Sequence, residues 1–145
     1  MADSKYGNHI ITELSTNIKV PAYRRPPTDV PGDYRRSILW LDDSIVRGAF
    51  YVECVWSWPR PNVADNTKSK LHTHPFDEVF GIFGMDPQDP HDLGGETEIV
   101  LEGEKHLINK SCLVYVPKGM EHSVGYTRVD RPNFHVNIGT TSMYV

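Results

Sequence analysis

The chain is poor in cysteine, holding only Cys54 and Cys112 among 145 residues and no CxxC pair. That excludes a disulfide scaffold and argues against thiol redox chemistry. Each cysteine sits in an apolar run, Val52-Glu-Cys54-Val-Trp56 and Ser111-Cys-Leu-Val-Tyr115, so both are read as buried free thiols. No apolar stretch approaches the length of a membrane span, and Met1 to His9 is polar where a secretory leader would be apolar. A soluble cytoplasmic protein with no membrane partner is expected. Basic clusters are missing too: the fifteen Lys and Arg are scattered, and the net charge is −4 with a pI near 5.9. Nucleic acid is therefore not an expected partner. Internal repeats, low-complexity tracts and any sustained 3.6-residue apolar period are also lacking, which excludes solenoids and helical bundles. A chain this long fits one domain and can bury about two-thirds of the surface its unfolded form exposes.

What is present is strand after short strand. Residues 1–36 carry Pro21, Pro26, Pro27 and Pro31, and proline's fixed φ and missing donor predict an irregular arm, with one short strand at His9–Leu14. Residues 37–145 are expected to form the folded domain. Ser37–Leu41 and Ile45–Trp58 are rich in β-branched and aromatic residues, and Phe50, Val52, Cys54, Trp56 and Trp58 alternate as one buried face would. Pro59-Arg-Pro61 ends that strand, and residues 62–69 read as a polar loop. Glu78–Gly84 is predicted as a strand with Glu78, Phe80 and Ile82 on one face, and Met85–Gly95 as a loop. Residues 97–102 and 105–109 make a hairpin around Glu102-Gly103-Glu104. Runs at 112–116 and 122–129 flank the turn Pro117-Lys-Gly-Met120, and 133–139 alternates Phe134, Val136 and Ile138 with His135 and Asn137. Many short strands between turn signals predict an all-β sandwich or barrel.

The stretch Leu71-His-Thr-His-Pro-Phe-Asp-Glu78 carries the chemistry. Residues i and i+2 share one strand face about 6.5–7 Å apart. His72 and His74 can thus tilt onto one ion, and Glu78 can return to it beyond a turn at Pro75. Two imidazoles and a carboxylate leave coordination positions open, which suits non-haem iron and related metals better than a closed structural zinc site. His122 follows the turn Pro117-Lys-Gly119 and supplies a fourth candidate. One divalent transition metal, Fe, Mn, Zn or Ni, is the expected cofactor.

These motifs resemble those of the cupin superfamily. Its first motif, a His-x-His pair followed by Glu and then Gly, is matched by His72, His74, Glu78 and Gly84, the last one position earlier than usual. Its second, Pro-x-Gly-x-x-His, is matched by Pro117, Gly119 and His122. Asn66 and Ser111 stand where each motif usually opens with Gly, and Tyr126 stands where Asn often follows the second-motif His. The resemblance covers residues 45–139. It implies a double-stranded β-barrel of jelly-roll type, with His72, His74, Glu78 and His122 as the ligands. It also implies a homodimer, for which the polar N-terminal arm crossing onto a neighbour is a candidate device.

Periodicity places Phe80 and Ile82 inward after Glu78, and Val124 and Tyr126 inward after His122. Trp56, with Phe50, Val52 and Trp58, is placed on the same cavity. A largely apolar pocket for a small organic molecule is expected. Glu78 and Tyr126 are the candidate catalytic groups, Tyr126 as a substrate-orienting or proton-transferring hydroxyl, with a core tyrosine as the alternative. His135 points away from its strand's apolar set, leaving a pocket, supporting or dimer-interface role open. His9, His91 and His106 read as solvated. The expected function is a metal-dependent enzyme on a small organic substrate, either an oxygenase or a Lewis-acid lyase, isomerase or decarboxylase. The alternatives are a non-catalytic binding protein with a structural metal, and a metal-free barrel.

Overall fold

The structure is a computed structural model and describes residues 4–60 and 69–145. Asn66 and all of the polar loop at 62–69 except Ser69 lie outside the described residues. Eight strands follow one another: β1 (Arg35–Leu41), β2 (Tyr51–Ser57), β3 (Glu78–Gly84), β4 (Asp92–Leu101), β5 (Glu104–Lys110), β6 (Cys112–Val116), β7 (His122–Val129) and β8 (Asn133–Gly139). All pairings are antiparallel. One sheet has the order β1-β2-β8-β3-β6 and the other β5-β4-β7. The fold is all-β, as the alternating runs and turn signals predict. Glu102 at φ 48° and Gly103 at φ 79° make the two-residue turn between β4 and β5, the twist that suits a tight hairpin.

The two sheets face each other across a core of Phe80 and Ile82 from β3, Val116 from β6, Leu93 and Ile99 from β4, and Tyr126 and Val129 from β7. A second cluster, Trp40, Tyr51, Phe76 and Tyr144, lies apart from it. Leu14, Ile18, Val20 and Tyr23 pack on that second cluster. The proline-rich segment thus lies against its own barrel, where the sequence pointed to a crossing onto a neighbour. Among its described residues it carries a 3-10 turn at Gly7–His9, and no strand forms over His9–Leu14.

Two further expectations are corrected. The segment Met85–Gly95 is not loop throughout, since β4 begins at Asp92. Gly95, the last residue of that expected loop, lies in register opposite Val129 of β7. The inward face of β2 is also the reverse of the one expected. Tyr51, Glu53, Val55 and Ser57 are buried, while Val52, Cys54 and Trp56 are only partly so. Phe50 is exposed. Trp56 packs outside the barrel against Trp58 and Phe134. Strand β8 follows the same rule, turning Asn133 and His135 inward and Phe134, Val136 and Ile138 outward. Period two tells which residues share a face but not which face is inside. Here buried hydrogen bonds hold the polar face in.

The motif glycine Gly84 ends β3 against the start of β4, where a Cβ would fall 1.7 Å from the Asp92 carbonyl oxygen. Backbone cannot retreat as a side chain can. Gly84→Ala is expected to destabilise the protein by about 3 kcal/mol, read as a lower midpoint in urea unfolding.

Candidate metal centre

His72 and His122 face each other as a β-bridge, with His72 N–H donating to the His122 carbonyl at 3.1 Å and the reverse bond at 3.0 Å. This pairing sets their rings 4.3 Å apart, centroid to centroid. The turn before His122 closes with Met120 N–H donating to Pro117 O at 3.1 Å, while Gly119 donates to the His74 carbonyl at 3.0 Å. Gly119 sits at φ 81°, a conformation glycine adopts without steric cost. The Pro-x-Gly turn therefore ties His74 and His122 to one another. His74 stacks on Phe76 at 4.0 Å, nearly parallel. The pair lies on an extended segment joined to β7 by one bridge, rather than within a full strand.

Each imidazole has its Nδ1 against a backbone carbonyl: His72 with Lys70 at 2.6 Å, His74 with Phe76 at 3.0 Å and His122 with Met120 at 2.9 Å. A carbonyl only accepts, so each Nδ1 carries a proton, and in the neutral imidazole Nε2 is then the atom with the lone pair. The Nε2 atoms of His74 and His122 are buried with no hydrogen-bond partner. Bare, buried lone pairs are unfavourable unless something electropositive lies between them. The ligand atoms of the three histidines all lie within 4.8 Å of one another, a group that could hold a metal ion with small adjustments, given metal–nitrogen bonds of about 2 Å. Glu78, the first residue of β3, lies 3.6 Å from His74 Nε2 and 3.7 Å from His122 Nε2. The structure thus brings His72, His74, Glu78 and His122 together.

Electrostatics favour the ligand forms of His72 and Glu78. Burial lowers the pKa of His72 and outweighs the effect of the Lys70 carbonyl, with His122 and His74 adding to the shift. Burial disfavours an ionised Glu78, but the neighbouring His122 and His74 hold its carboxyl down at about 2. Neutral imidazoles beside a carboxylate are the forms a divalent metal binds.

The cluster opens onto a cavity of about 560 Å³ lined by Tyr23, Arg24, Arg35, Tyr51, His135, Asn137 and Tyr144 among others. This corrects the expectation of an apolar pocket. Of the predicted lining residues Val124 is present, while Phe80 and Ile82 belong to the core between the sheets and Trp56 faces outward. Tyr126 is in that core as well. Its hydroxyl donates to Asn133 Oδ1 at 2.7 Å, and burial pushes its pKa up to about 12. The tyrosines at the site are instead Tyr144, whose hydroxyl is 3.5 Å from His72 Nε2, and Tyr23, which stacks on His72. Burial, then its contact with Tyr23, raises the Tyr144 pKa far enough to keep it protonated.

Behind the cavity wall lies a buried network. Glu53 accepts from Arg24, from Ser37 at 2.8 Å, from Tyr51 at 3.3 Å and from Asn137 Nδ2 at 3.2 Å. His135 Nε2 is 2.7 Å from Asn137 Oδ1, so Nε2 carries the proton. Burial, with the nearby charge of Arg35, lowers the His135 pKa to about 4. A lone acid within an apolar strand, as Glu53 is, must find a partner, and that was the one sequence signal for the network. Arg24, Tyr23 and Tyr144 gave none, lying in irregular segments without periodicity.

A double-stranded barrel with an HxH pair, a following carboxylate and a third histidine on the opposite sheet is the cupin architecture. No family model matches the sequence, and no curated protein does. Solved structures do match. An oxalate oxidase in complex with glycolate aligns over 98% of this chain and 64% of its own, at 13% identity and a TM-score of 0.55. KdgF from Halomonas sp. aligns over 85% and 94%, at 18% identity and a TM-score of 0.45. The DMSP lyase DddQ from Ruegeria pomeroyi DSS-3 aligns over 63% and 38%, at 21% identity and a TM-score of 0.40. The chain spans under two thirds of the oxidase and about two fifths of the lyase. The fold is that of the cupins, and the likeness to the oxidase at 13% identity shows the fold rather than the chemistry. Among the described residues no helix is long and apolar enough to cross a membrane.

Proposed function

We propose that this chain is a metal-dependent enzyme acting on a small organic molecule. One divalent transition metal, Fe, Mn, Zn or Ni, would be held by Nε2 of His72, His74 and His122 and by the Glu78 carboxylate. The observation that supports this best is the three-histidine cluster, with the Nε2 atoms of His74 and His122 bare, beside a cavity large enough for a small ligand that His72, Glu78 and His122 line. A structural site would be closed by its own ligands. When bound, such a metal polarises a substrate oxygen as a Lewis acid or supports dioxygen chemistry. Tyr144, protonated and beside His72, is the chain's own group for orienting a substrate or moving a proton. Tyr126, bonded within the core, is not. Oxygen uptake and product formation measured over a panel of small organic substrates, with and without chelator, test the reading. Chelator-sensitive turnover is expected, and uptake matching product would mark an oxygenase over a lyase, isomerase or decarboxylase. Full metal occupancy without chelator-sensitive turnover would contradict an enzyme.

The protein is further proposed to be a cytoplasmic homodimer. Cys54 and Cys112 are free, as a reducing compartment allows. The outer face of the five-stranded sheet carries the dimer argument. Its cross-strand rows read Val52, Ile138, Val79, Tyr115, then Cys54, Val136, Gly81, Leu113, then Trp56, Phe134, Phe83. No charge interrupts them on β2, β8, β3 and β6, while Arg36 of the edge strand β1 stands opposite Trp56 at the end of the third row. Leu113, Tyr115, Ile138 and Phe83 are 69%, 61%, 39% and 36% exposed, together on the order of 400 Å², about the largest apolar patch a monomer shows. A second copy fits best, because identical apolar faces are self-complementary about a two-fold axis. Light scattering should give twice 16.5 kDa for the native chain and 16.5 kDa for Leu113→Glu. A monomeric native protein would refute the dimer.

A further inference from the structure

The cavity wall is cationic in a chain whose net charge is −4. Arg24, Arg25, Arg35 and Lys70 line it, and Glu78 is its one acidic lining residue among those described. Glu78 faces the histidines, and a divalent ion there would add further positive charge. Arg24 is neutralised by Glu53 from behind, and Glu53 is already engaged by three other donors.

Arg35 differs from Arg24. It opens β1 opposite Ser57, whose side chain is turned into the barrel. It lines the cavity, yet among the described residues no carboxylate pairs with its guanidinium. Arg35 is exposed at the cavity mouth, and its charge reaches inward far enough to lower the pKa of the buried His135 and to help hold that of Glu53 down. A planar guanidinium with five donors is matched best by a two-oxygen anionic group. Arg25 and Lys70 extend the same sign of potential along the wall, which would concentrate anions there.

We infer that the cavity takes a small organic oxyanion, a carboxylate or phosphate, whose charged group is held by Arg35 while the rest of the molecule reaches the histidine cluster. This rests on reading the cavity as the substrate site and adds the class of substrate. The cationic wall disfavours cationic molecules of the same size and gives neutral ones no electrostatic gain. Arg35 is a binding residue here, acting on the substrate rather than on the metal ligands.

Ligand-induced melting shifts and isothermal titration test this, with metal content measured on each sample. Succinate, benzoate and phenyl phosphate are the probes, beside succinamide, benzamide and phenol as uncharged counterparts. At least one anion is expected to bind while its uncharged counterpart does not, and phenyl phosphate against benzoate tells which oxyanion is preferred. Arg35→Gln should weaken the bound anion about tenfold or more with metal content unchanged, and Arg35→Lys should recover part of the loss. Uncharged probes binding as well as anions would overturn the inference, as would no anion binding at millimolar concentration or equal binding by Arg35→Gln. Arg35-dependent anion binding by a protein that holds no metal would leave this inference standing and remove the metal-enzyme reading instead.

Discussion

His74→Ala is expected to lose its metal and, with it, the metal-dependent part of its stability. An ion that binds the folded chain alone stabilises it by about 4 kcal/mol when free metal exceeds its Kd a thousandfold. For a chain of this size that raises the melting temperature by about 8–16 °C. His74 has its Nδ1 against the Phe76 carbonyl and its bare Nε2 buried toward Glu78, so no other atom can replace it. The ring also stacks on Phe76, and alanine would lower stability through lost packing alone. The comparison that isolates the metal is chelated against metal-supplied protein, for the native chain and for His74→Ala. The native pair should differ by the full shift and the variant pair should coincide. A variant that still gains from metal would remove His74 from the ligand set.

The second large effect concerns Glu53, which touches no ligand position. Its side chain is fully buried and Arg24 is 15% exposed. Removing one partner of a buried pair leaves the other charged and desolvated, at a cost of about 3–5 kcal/mol. Glu53→Gln should therefore lower the melting temperature by about 6–20 °C. Replacing both partners together, Arg24→Met with Glu53→Leu, should cost far less, because apolar residues of similar volume often substitute for a buried pair without loss. The pair also bears on function. Arg24 lies 4.5 Å from the Tyr144 ring and 5.0 Å from the Trp40 ring, joining the N-terminal segment to the tyrosine beside His72. Loosening it opens the cavity wall.

The pH dependence follows from the same pair. Burial would raise the Glu53 pKa, but Arg24, with help from Arg35 and Ser37, holds it below 4.5. The folded value is thus lower than the unfolded one. Its contribution is fully present above pH 4.5 and is lost as pH falls through the folded value. Acid unfolding of the native chain should be steeper than that of the Arg24→Met, Glu53→Leu double variant.

The ligand cluster was legible because its signal is local. His72, Thr73 and His74 fix two imidazoles by spacing, and Pro117, Lys118 and Gly119 fix the turn that brings up His122. The barrel was legible from alternation and from turns such as Glu102-Gly103. The cavity wall was not. In β2 and β8 the larger apolar residues alternate with Glu53, Ser57, His135 and Asn137, and the usual rule puts the apolar set inside. The rule fails because Glu53 is satisfied within the barrel by Arg24, a residue 29 positions earlier in an irregular segment. No periodicity links the two. The outward set, from Trp56 to Leu113, is then left on the outer face of the five-stranded sheet. Tyr126 was misread for a related reason: it does point inward, but into the core between the sheets rather than into the cavity. Tyr144 follows the last strand, where pattern offers no guide.

The central claim is that the three Nε2 lone pairs and the Glu78 carboxylate hold a metal ion. Elemental mass spectrometry on the native protein, produced with iron, manganese, nickel and zinc supplied and then desalted, tests it most directly. The account predicts one divalent transition metal per chain, lost in His74→Ala and His122→Ala and kept in Arg35→Gln. A native chain that folds and carries no metal would contradict it.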